Sequence, residues 1–228
     1  MPYAQQKAAL ADIVKIIYKA HKLKIEDLKK YRAELDRPDF VWHYLLQSFS
    51  TMGGAAGSRG LMGNMANYNR ITFDALKQLD AVQRPAVVEQ TCRDAKIRWP
   101  VNKTEYILRC YAQVTALGGL AAVKTALLAI PGRAGKIKFL RQFHGIGLKY
   151  ARNMMMDVYH EDFWESIAID SRIKSISTAL GVEFQDYASH ENFYLEVAHA
   201  AGINGWELDR LMFNFDKEVL AAVAKGQR

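Results

Sequence analysis

Apolar side chains recur along this chain at intervals of three and four residues, and alternating apolar and polar runs are hard to find. The observed interval places apolar residues on one face of an α-helix, whereas alternation would indicate a β-strand. Glycine and proline, which interrupt helices, number only 15 and 5 in 228 residues. The sequence therefore predicts an all-α fold, and it contains neither sustained heptads nor an internal repeat.

The predicted helices follow from the amphipathic segments. Residues 5–20 carry Leu10 and Val14 on one face, and residues 39–51 begin at Asp39 as a predicted N-cap. The same spacing predicts helices near residues 72–79, 84–96, 103–117, 119–128, 134–143, 148–158, 171–180, 190–200 and 205–223. Residues 52–70 hold five glycines and are predicted not to form one regular helix. They are either a flexible connector or a loop whose backbone approaches a ligand.

The cysteine count excludes several classes of protein. Cys92 and Cys110 are too few for a disulfide scaffold, a four-cysteine zinc site or a four-cysteine iron–sulfur cluster. No apolar run approaches the roughly 20 residues that a membrane span needs, and the N-terminus lacks the layout of a signal peptide. We therefore expect a cytosolic protein with reduced thiols and no membrane partner.

The net charge of +7 is unevenly distributed along the chain. Residues 93–152 carry 12 basic and 2 acidic side chains, whereas residues 153–228 carry 6 basic and 13 acidic ones. A basic block of this size is typical of a surface that binds a polyanion. The alternative is ordinary solvated helix surface.

The most informative motif lies at residues 137–158. A short helix over residues 137–143 is followed by a tight turn, His144-Gly145-Ile146-Gly147, and then by a second helix over residues 148–158. The two glycines lack a Cβ, so backbone N–H groups at the start of the second helix can approach a phosphate oxygen. This helix–hairpin–helix pattern predicts sequence-independent binding of a nucleic-acid backbone. The predicted contacts are His144, Gly145, Gly147, Lys136, Lys138, Arg141 and Arg152.

Asp170 directly precedes the predicted helix at residues 171–180. Alone, it would be an N-cap, and Lys149 alone would be a solvated lysine that binds phosphate. Together they resemble a known pairing, and residues 137–173 resemble the helix–hairpin–helix DNA glycosylase superfamily, which includes endonuclease III. Within it the chain is most similar to the type 2 8-oxoguanine DNA glycosylases.

The resemblance extends over about residues 38–215. Residues 102–107 are similar to the N-K-A-x-Y-I stretch of the type 2 branch, and residues 207–213 to its C-terminal leucine–aspartate helix. Three features depart from the family pattern: the 21-residue interval from Lys149 to Asp170, the glycine-rich segment, and Phe213 in place of a tryptophan.

The resemblance implies two helical subdomains that flank a DNA-binding cleft. One would comprise about residues 53–150 and end in the helix–hairpin–helix at 137–158, followed by the loop that carries the catalytic aspartate. The other would comprise about residues 1–52 plus 159–228. No cofactor would be required and no iron–sulfur cluster would be present. The family often holds K⁺ or Na⁺ at the hairpin, here at the backbone carbonyls of Arg141, Phe143 and Ile146.

The resemblance also implies a base-excision-repair enzyme that removes 8-oxoguanine from duplex DNA and then cleaves the strand as an AP lyase. Lys149 would attack C1′ of a flipped nucleotide, and Asp170 would stabilise the positive charge that develops on the sugar. Asn153 lies one helical turn after Lys149 and is a candidate for reading the base, while Trp206 and Phe213 are candidates for stacking on it. For each of these three the alternative is a structural role, and Trp42 is expected in the core.

Two other functions stay open. One is an alkylpurine or mismatch glycosylase on the same scaffold, and the other is a non-catalytic DNA-binding module that uses the hairpin only for grip. Damaged double-stranded DNA is the expected partner. A single lesion offers no symmetry for a dimer to match, so we expect a monomer, located at the nucleoid or in the cytoplasm, or in the nucleus of a eukaryote.

Overall fold

The computed structural model describes residues 3–226, and within them the chain is helical, with no β-strand. Its thirteen α-helices are α1 (Ala4–Leu28), α2 (Phe40–Thr51), α3 (Ala55–Leu61), α4 (Met65–Arg70), α5 (Phe73–Gln78), α6 (Gln83–Asp94), α7 (Pro100–Ala116), α8 (Leu120–Ala129), α9 (Gly132–Leu140), α10 (Leu148–Met156), α11 (Ser171–Ala179), α12 (Tyr187–Ala201) and α13 (Gly205–Gly226). Two 3₁₀ helices cover Lys29–Asp36 and Glu161–Phe163. The predicted all-α class is confirmed.

The chain divides into two compact units. The terminal unit consists of Met1–Ala33 and Met155–Arg228, and the central unit is Glu34–Met154. The division differs from the expected one, which assigned residues 34–52 to the terminal subdomain. These residues lie in the central unit because the apolar helix α2 packs against α3, α7 and α8.

Helix α2 forms the core of the central unit. Phe40, Trp42 and Phe49 are fully buried, as expected for Trp42, and the Trp42 indole N–H donates to the Ile71 carbonyl at 3.0 Å. Asp39 precedes the helix but makes no side-chain cap hydrogen bond. Its carboxylate is instead held by the neighbouring Arg37 and by the Tyr68 hydroxyl.

The glycine-rich segment forms the two short helices α3 and α4, so it is not one regular helix, as predicted. A Cβ on Gly60 would lie 2.0 Å from the Ala95 carbonyl oxygen, and one on Gly57 would lie 2.5 Å from that of Ser50. These glycines therefore let α3 pack closely against neighbouring backbone. Approach of this segment's backbone to a ligand stays a prediction.

In the terminal unit, α1 packs against α12 and α13, and α11 packs against α13. A buried polar cluster joins α11 to α12, in which the Ser177 hydroxyl lies 2.8 Å from both His190 Nε2 and the Tyr194 hydroxyl. His190 also stacks on Phe184, with ring centroids 4.3 Å apart. The imidazole thus contacts these neutral groups, and the positive charge of Lys174 on α11 also acts on it.

Among residues 3–226, no single helix is long and apolar enough to cross a bilayer. Helices α7 and α8 reach that length and composition only when they are counted together across a bend of 82°.

We predict that His190 makes folding stability depend on pH. Burial lowers the pKa of His190 to about 4, from an ordinary value of 6.5. Between these values the unfolded chain binds a proton that the folded protein does not, so the free energy of unfolding falls as the pH drops from 6.5 to about 4. The slope from this residue approaches about 1.4 kcal/mol per pH unit.

Urea unfolding at a series of pH values checks this prediction. His190→Gln should unfold with a shallower pH slope than the wild type, whatever its absolute stability. Asn192→Gln, at an exposed position of the same helix, is the control and should keep the wild-type slope because it removes no titratable group. Equal slopes for wild type and His190→Gln would contradict the prediction.

Candidate nucleic-acid interface and catalytic residues

Helices α9 and α10 and the turn between them form the predicted helix–hairpin–helix. Within the turn, the Ile146 N–H donates to the Phe143 carbonyl at 3.0 Å, and Gly145 has a φ of +81°. A Cβ on Gly145 would lie 2.5 Å from the ring of Tyr106 on α7. Gly145 is therefore required by its backbone conformation and by its contact with Tyr106, whereas Gly147 is exposed with open space beside it.

The basic side chains of the hairpin divide into exposed and buried ones. Lys138 and Arg141 are exposed, and His144 at the tip is half-buried against Tyr106, with ring centroids 4.9 Å apart. The first N–H groups of α10 have no acceptor within the helix, which suits them to an anion. Lys138 and Arg141 are thus accessible to a phosphate, and their contact with a DNA backbone stays a prediction.

Lys136 and Arg152 do not fit their predicted role as DNA contacts. Lys136 is 2% exposed and its ammonium donates to the Ile130 carbonyl, and Arg152 is 8% exposed and donates to the Leu148 carbonyl at 3.2 Å. Both long side chains turn back to satisfy carbonyls near their own helices. The predicted basic surface is therefore smaller than the charge count implies.

Lys149, the candidate nucleophile, lies in the first turn of α10. It is half-buried, and its Nζ lies 4.2 Å from the ring centroid of Tyr150. Among the described residues of the central unit, no carboxylate lies within ion-pair distance of this amine. Within the described part of the central unit, the amine therefore contacts the aromatic face of Tyr150 and no carboxylate.

Asp170 of the terminal unit is the N-cap of α11. One carboxylate oxygen accepts from the backbone N–H groups of Arg172 and Ile173, at 2.9 and 3.1 Å. The other oxygen lies 3.1 Å from the Arg172 guanidinium. The capping role is thus present in the structure, and a catalytic role for the same carboxylate stays a prediction.

Residues 166–169, just before Asp170, are not part of a helix, and side chains supply the hydrogen bonds of their backbone. The N–H of Ile167 donates to Glu191 at 3.0 Å, and that of Ala168 donates to Asp209 at 2.8 Å. The Tyr187 hydroxyl accepts from Ile169 N–H at 3.0 Å and donates to the Ile167 carbonyl. Glu191 and Tyr187 thereby fix the backbone that presents Asp170.

The sequence analysis missed Tyr187 and Glu191 as positioning residues. The signal available in the sequence was a carboxylate, Glu191, on the face of α12 that also carries Tyr194 and Ala198, which are buried. A carboxylate at such a position must be hydrogen-bonded when the helix packs.

Asp209 is a buried carboxylate beside the guanidinium of Arg210. Arg210 Nη1 also lies 2.8 Å from Asp157, so one guanidinium forms ion pairs with two carboxylates. Burial raises the pKa of Asp209 to about 6, and the positive charge of Arg210 opposes that rise. The polar side of α13 therefore points inward, toward the backbone segment before Asp170.

The predicted base-pocket residues have different environments. Trp206 is buried and its indole N–H donates to the Met156 carbonyl at 2.6 Å, so its observed role is in the core and not as an accessible stacking surface. Phe213 is 46% exposed, with the Arg172 guanidinium 4.3 Å from its ring centroid. Asn153 is half-buried on α10.

The turn also contains the carbonyls predicted to hold a monovalent cation, those of Arg141, Phe143 and Ile146. Backbone carbonyl oxygens are suitable ligands for K⁺ and Na⁺, and the Phe143 oxygen keeps one lone pair beside its bond from Ile146. Within residues 3–226, no group of three His, Cys, Asp or Glu side chains is placed to bind a metal. The turn carbonyls fit the expected ion, whose presence stays a prediction.

Comparison with solved structures identifies a protein of the same fold. The chain superimposes on the 8-oxoguanine DNA glycosylase of Thermotoga maritima with a TM-score of 0.66, covering 90% of this chain and 94% of that one at 14% sequence identity. The predicted resemblance is confirmed for the fold, which is what a likeness at this identity shows. No family model and no curated protein matches the sequence.

We predict that Lys138 and Arg141 contribute directly to DNA binding. Replacing both by alanine should weaken binding to damaged and undamaged duplexes alike, because phosphate contacts do not depend on sequence. It should also make the negative slope of log K against log [salt] shallower by about 2, since binding releases about one counterion fewer for each phosphate contact that is lost.

Fluorescence anisotropy at four salt concentrations measures this slope. The control is the double variant Lys19→Ala/Lys22→Ala, which removes the same charge from exposed positions of α1. It should leave the slope within experimental error. Equal slopes for both double variants would show that the hairpin does not carry the contact.

Proposed function

We propose that this protein is a base-excision-repair DNA glycosylase with AP lyase activity that acts on an oxidised purine, 8-oxoguanine, in duplex DNA. The observation that carries the proposal is the fold shared with an 8-oxoguanine DNA glycosylase over 90% of the chain. Lys149 in the first turn of α10 and Asp170 at the N-cap of α11 support it, because they supply the two groups that the chemistry requires.

In the proposed reaction the damaged nucleotide leaves the base stack, since only an extruded nucleotide exposes C1′ to a protein side chain. The neutral amine of Lys149 forms a bond to C1′ as the bond from C1′ to the base breaks. The base departs with a proton that the amine loses on bonding to C1′. The bond between C1′ and O4′ then breaks as O4′ takes a proton from water, which gives a protonated Schiff base. Loss of a C2′ proton then expels the 3′ phosphate, which nicks the strand.

Asp170 stabilises the positive charge that develops on the sugar as the base leaves. A fixed carboxylate does this well because its orientation is set before the reaction begins. The hydrogen bonds from Arg172 and Ile173 N–H, and the side chains that hold residues 166–169, supply that orientation. Arg172, bonded to the second oxygen, must move if that oxygen is to face the sugar.

The proposal includes damaged double-stranded DNA as the partner, a monomeric enzyme, and a location with the genome. A panel of duplexes that carry 8-oxoguanine, uracil, an alkylated base or an abasic site, each with and without borohydride, tests it. Excision of 8-oxoguanine with covalent trapping is the expected result. Excision of alkylated or mispaired bases without trapping would favour a monofunctional glycosylase, and binding without excision a DNA-binding module.

We predict that Lys149→Gln abolishes both strand nicking and borohydride trapping. Glutamine keeps a similar stem and a polar end but cannot form a Schiff base. The variant should fold and still bind a duplex that contains the lesion. Lys22→Gln is the matched control and should nick like the wild type. Trapping that persists in Lys149→Gln would show that this lysine is only a phosphate contact.

We predict that Asp170→Asn lowers the single-turnover rate of excision by about 10²-fold or more, about 3 kcal/mol. Asparagine still caps α11, so stability and lesion binding should survive while the negative charge is lost. Asp186→Asn makes the same change at the N-cap of α12, whose carboxylate accepts from Ser189 N–H, and serves as the control. Equal excision rates for the two variants would mean that Asp170 only caps its helix.

A further inference from the structure

A cavity in the terminal unit lies outside the residues that the proposed function uses. Its volume is 420 Å³, and it is lined by side chains at the start of α1, by residues 183–186 and by α12. Pockets that bind small molecules have volumes of roughly 300–1,000 Å³. The cavity is therefore large enough for a ligand, and its lining includes neither Lys149 nor Asp170.

Three aromatic side chains of this cavity form one continuous group. The ring centroid of Tyr3 lies 6.0 Å from that of Phe184 and 6.3 Å from that of Phe193, and the last two are 5.3 Å apart. The Tyr3 hydroxyl donates to the Glu183 carbonyl at 3.2 Å, which holds the tyrosine ring in place. The face of an aromatic ring carries partial negative charge, so such a group attracts a cation.

One ammonium group of the chain is already bound in this way. Lys7 lines the cavity, and its ammonium forms an ion pair with Glu196 and lies 5.7 Å from the ring centroid of Phe193. The side chain of Lys7 is only 14% exposed. A carboxylate and an aromatic ring of this cavity together therefore suffice to hold an ammonium group.

The remaining charge of the cavity lining is negative. Besides the pair of Lys7 and Glu196, the lining includes two carboxylates, those of Glu183 and Asp186, and no further cation. Asp186 is engaged as the N-cap of α12. Glu183 is exposed, and among residues 3–226 its carboxylate has neither an ion pair nor a hydrogen bond. Glu183 is therefore the carboxylate that is left for a positively charged ligand.

We propose that this cavity binds a primary ammonium group on an aliphatic chain, with Glu183 as its counter-ion and the rings of Tyr3 and Phe184 beside the chain. A primary ammonium has three N–H donors, and its hydrogen bonds to a carboxylate are strong ones. Gln185 and Ser189 also line the cavity and offer neutral side-chain oxygens as acceptors. A quaternary ammonium has no N–H and could not use these acceptors.

Two kinds of molecule carry this group: a free polyamine and a lysine side chain of another protein. Both would bring the same ammonium to the cavity, and neither requires nucleic acid, so the binding is independent of the proposed function. With a net charge of +7, the protein as a whole repels cations. Saturable binding of a small amine would therefore require a local site of negative charge.

Isothermal titration calorimetry of the full chain, at an ionic strength of about 0.15 M, tests the proposal with three probes. Spermidine represents a free polyamine, Nα-acetyl-lysine methylamide represents a protein lysine, and choline is the quaternary ammonium. The two primary amines should bind at one saturable site, and choline should bind about tenfold more weakly or worse. Tighter binding of spermidine than of the lysine derivative would identify a polyamine as the ligand, and the reverse order a protein.

Three variants locate the site. Glu183→Gln removes the counter-ion and should weaken the binding of both primary amines by about tenfold. Tyr3→Leu keeps an apolar side chain without the ring and should weaken it by about threefold. Glu218→Gln removes the same charge from an exposed position of α13 outside the cavity, and as the control it should bind like the wild type.

Three results would each overturn the proposal: no saturable binding of either primary amine, choline binding as tightly as spermidine, or wild-type affinity in Glu183→Gln. Because Glu183 is exposed and its carboxylate has no partner among residues 3–226, its variant should melt at the wild-type temperature. A loss of affinity in this variant then reports binding and not folding. Excision of 8-oxoguanine, or its absence, changes none of these outcomes.

Discussion

The backbone of residues 166–169 cannot satisfy its own hydrogen bonds, and the architecture of the terminal unit depends on that constraint. A buried N–H without an acceptor costs about 1–3 kcal/mol, so each must be paired. The acceptors are side chains from two different helices, Glu191 and Tyr187 on α12 and Asp209 on α13. The segment therefore fixes the relative placement of these helices, and they fix the residue that follows it, Asp170.

This arrangement places a carboxylate, that of Asp209, in the interior, where the charged form is electrostatically unfavourable. Asp209 is buried, and its pKa is raised to about 6, which means that the charged form is disfavoured by its surroundings. Arg210 offsets part of the cost while also serving Asp157. An amide at position 209 would avoid the charge but would also present donors beside the guanidinium. A carboxylate is the side chain that meets both the Ala168 N–H and the arginine.

The sequence predicted the helices well because periodicity depends on the same burial that forms them, as α2 and α10 illustrate. It was a poor guide to which charged side chains are exposed to solvent. Lys136 and Arg152 were counted in a basic surface, but a long side chain can bury its stem and donate to a carbonyl of its own helix region. A count of charged residues shows that a cationic side chain is present, but it does not show whether that side chain is exposed or buried.

Contacts between residues that are far apart in the sequence could not be predicted either. Gly145 was expected to admit a phosphate, yet its missing Cβ admits Tyr106, 39 positions earlier in the chain. Glu191 acquires its significance from its hydrogen bond with the Ile167 N–H, 24 positions earlier, which no local pattern connects to it. The position of Asp170, by contrast, was predictable, because an N-cap is a local property of the sequence.

The two units also differ in charge, which divides the proposed functions between them. The central unit carries 17 basic and 8 acidic side chains, and the terminal unit 14 basic and 16 acidic ones. In the proposed function DNA is attracted to the first, where Lys138 and Arg141 are exposed. Stabilising a cationic sugar requires a negative charge, and Asp170, which would supply it in the proposed reaction, belongs to the acidic terminal unit.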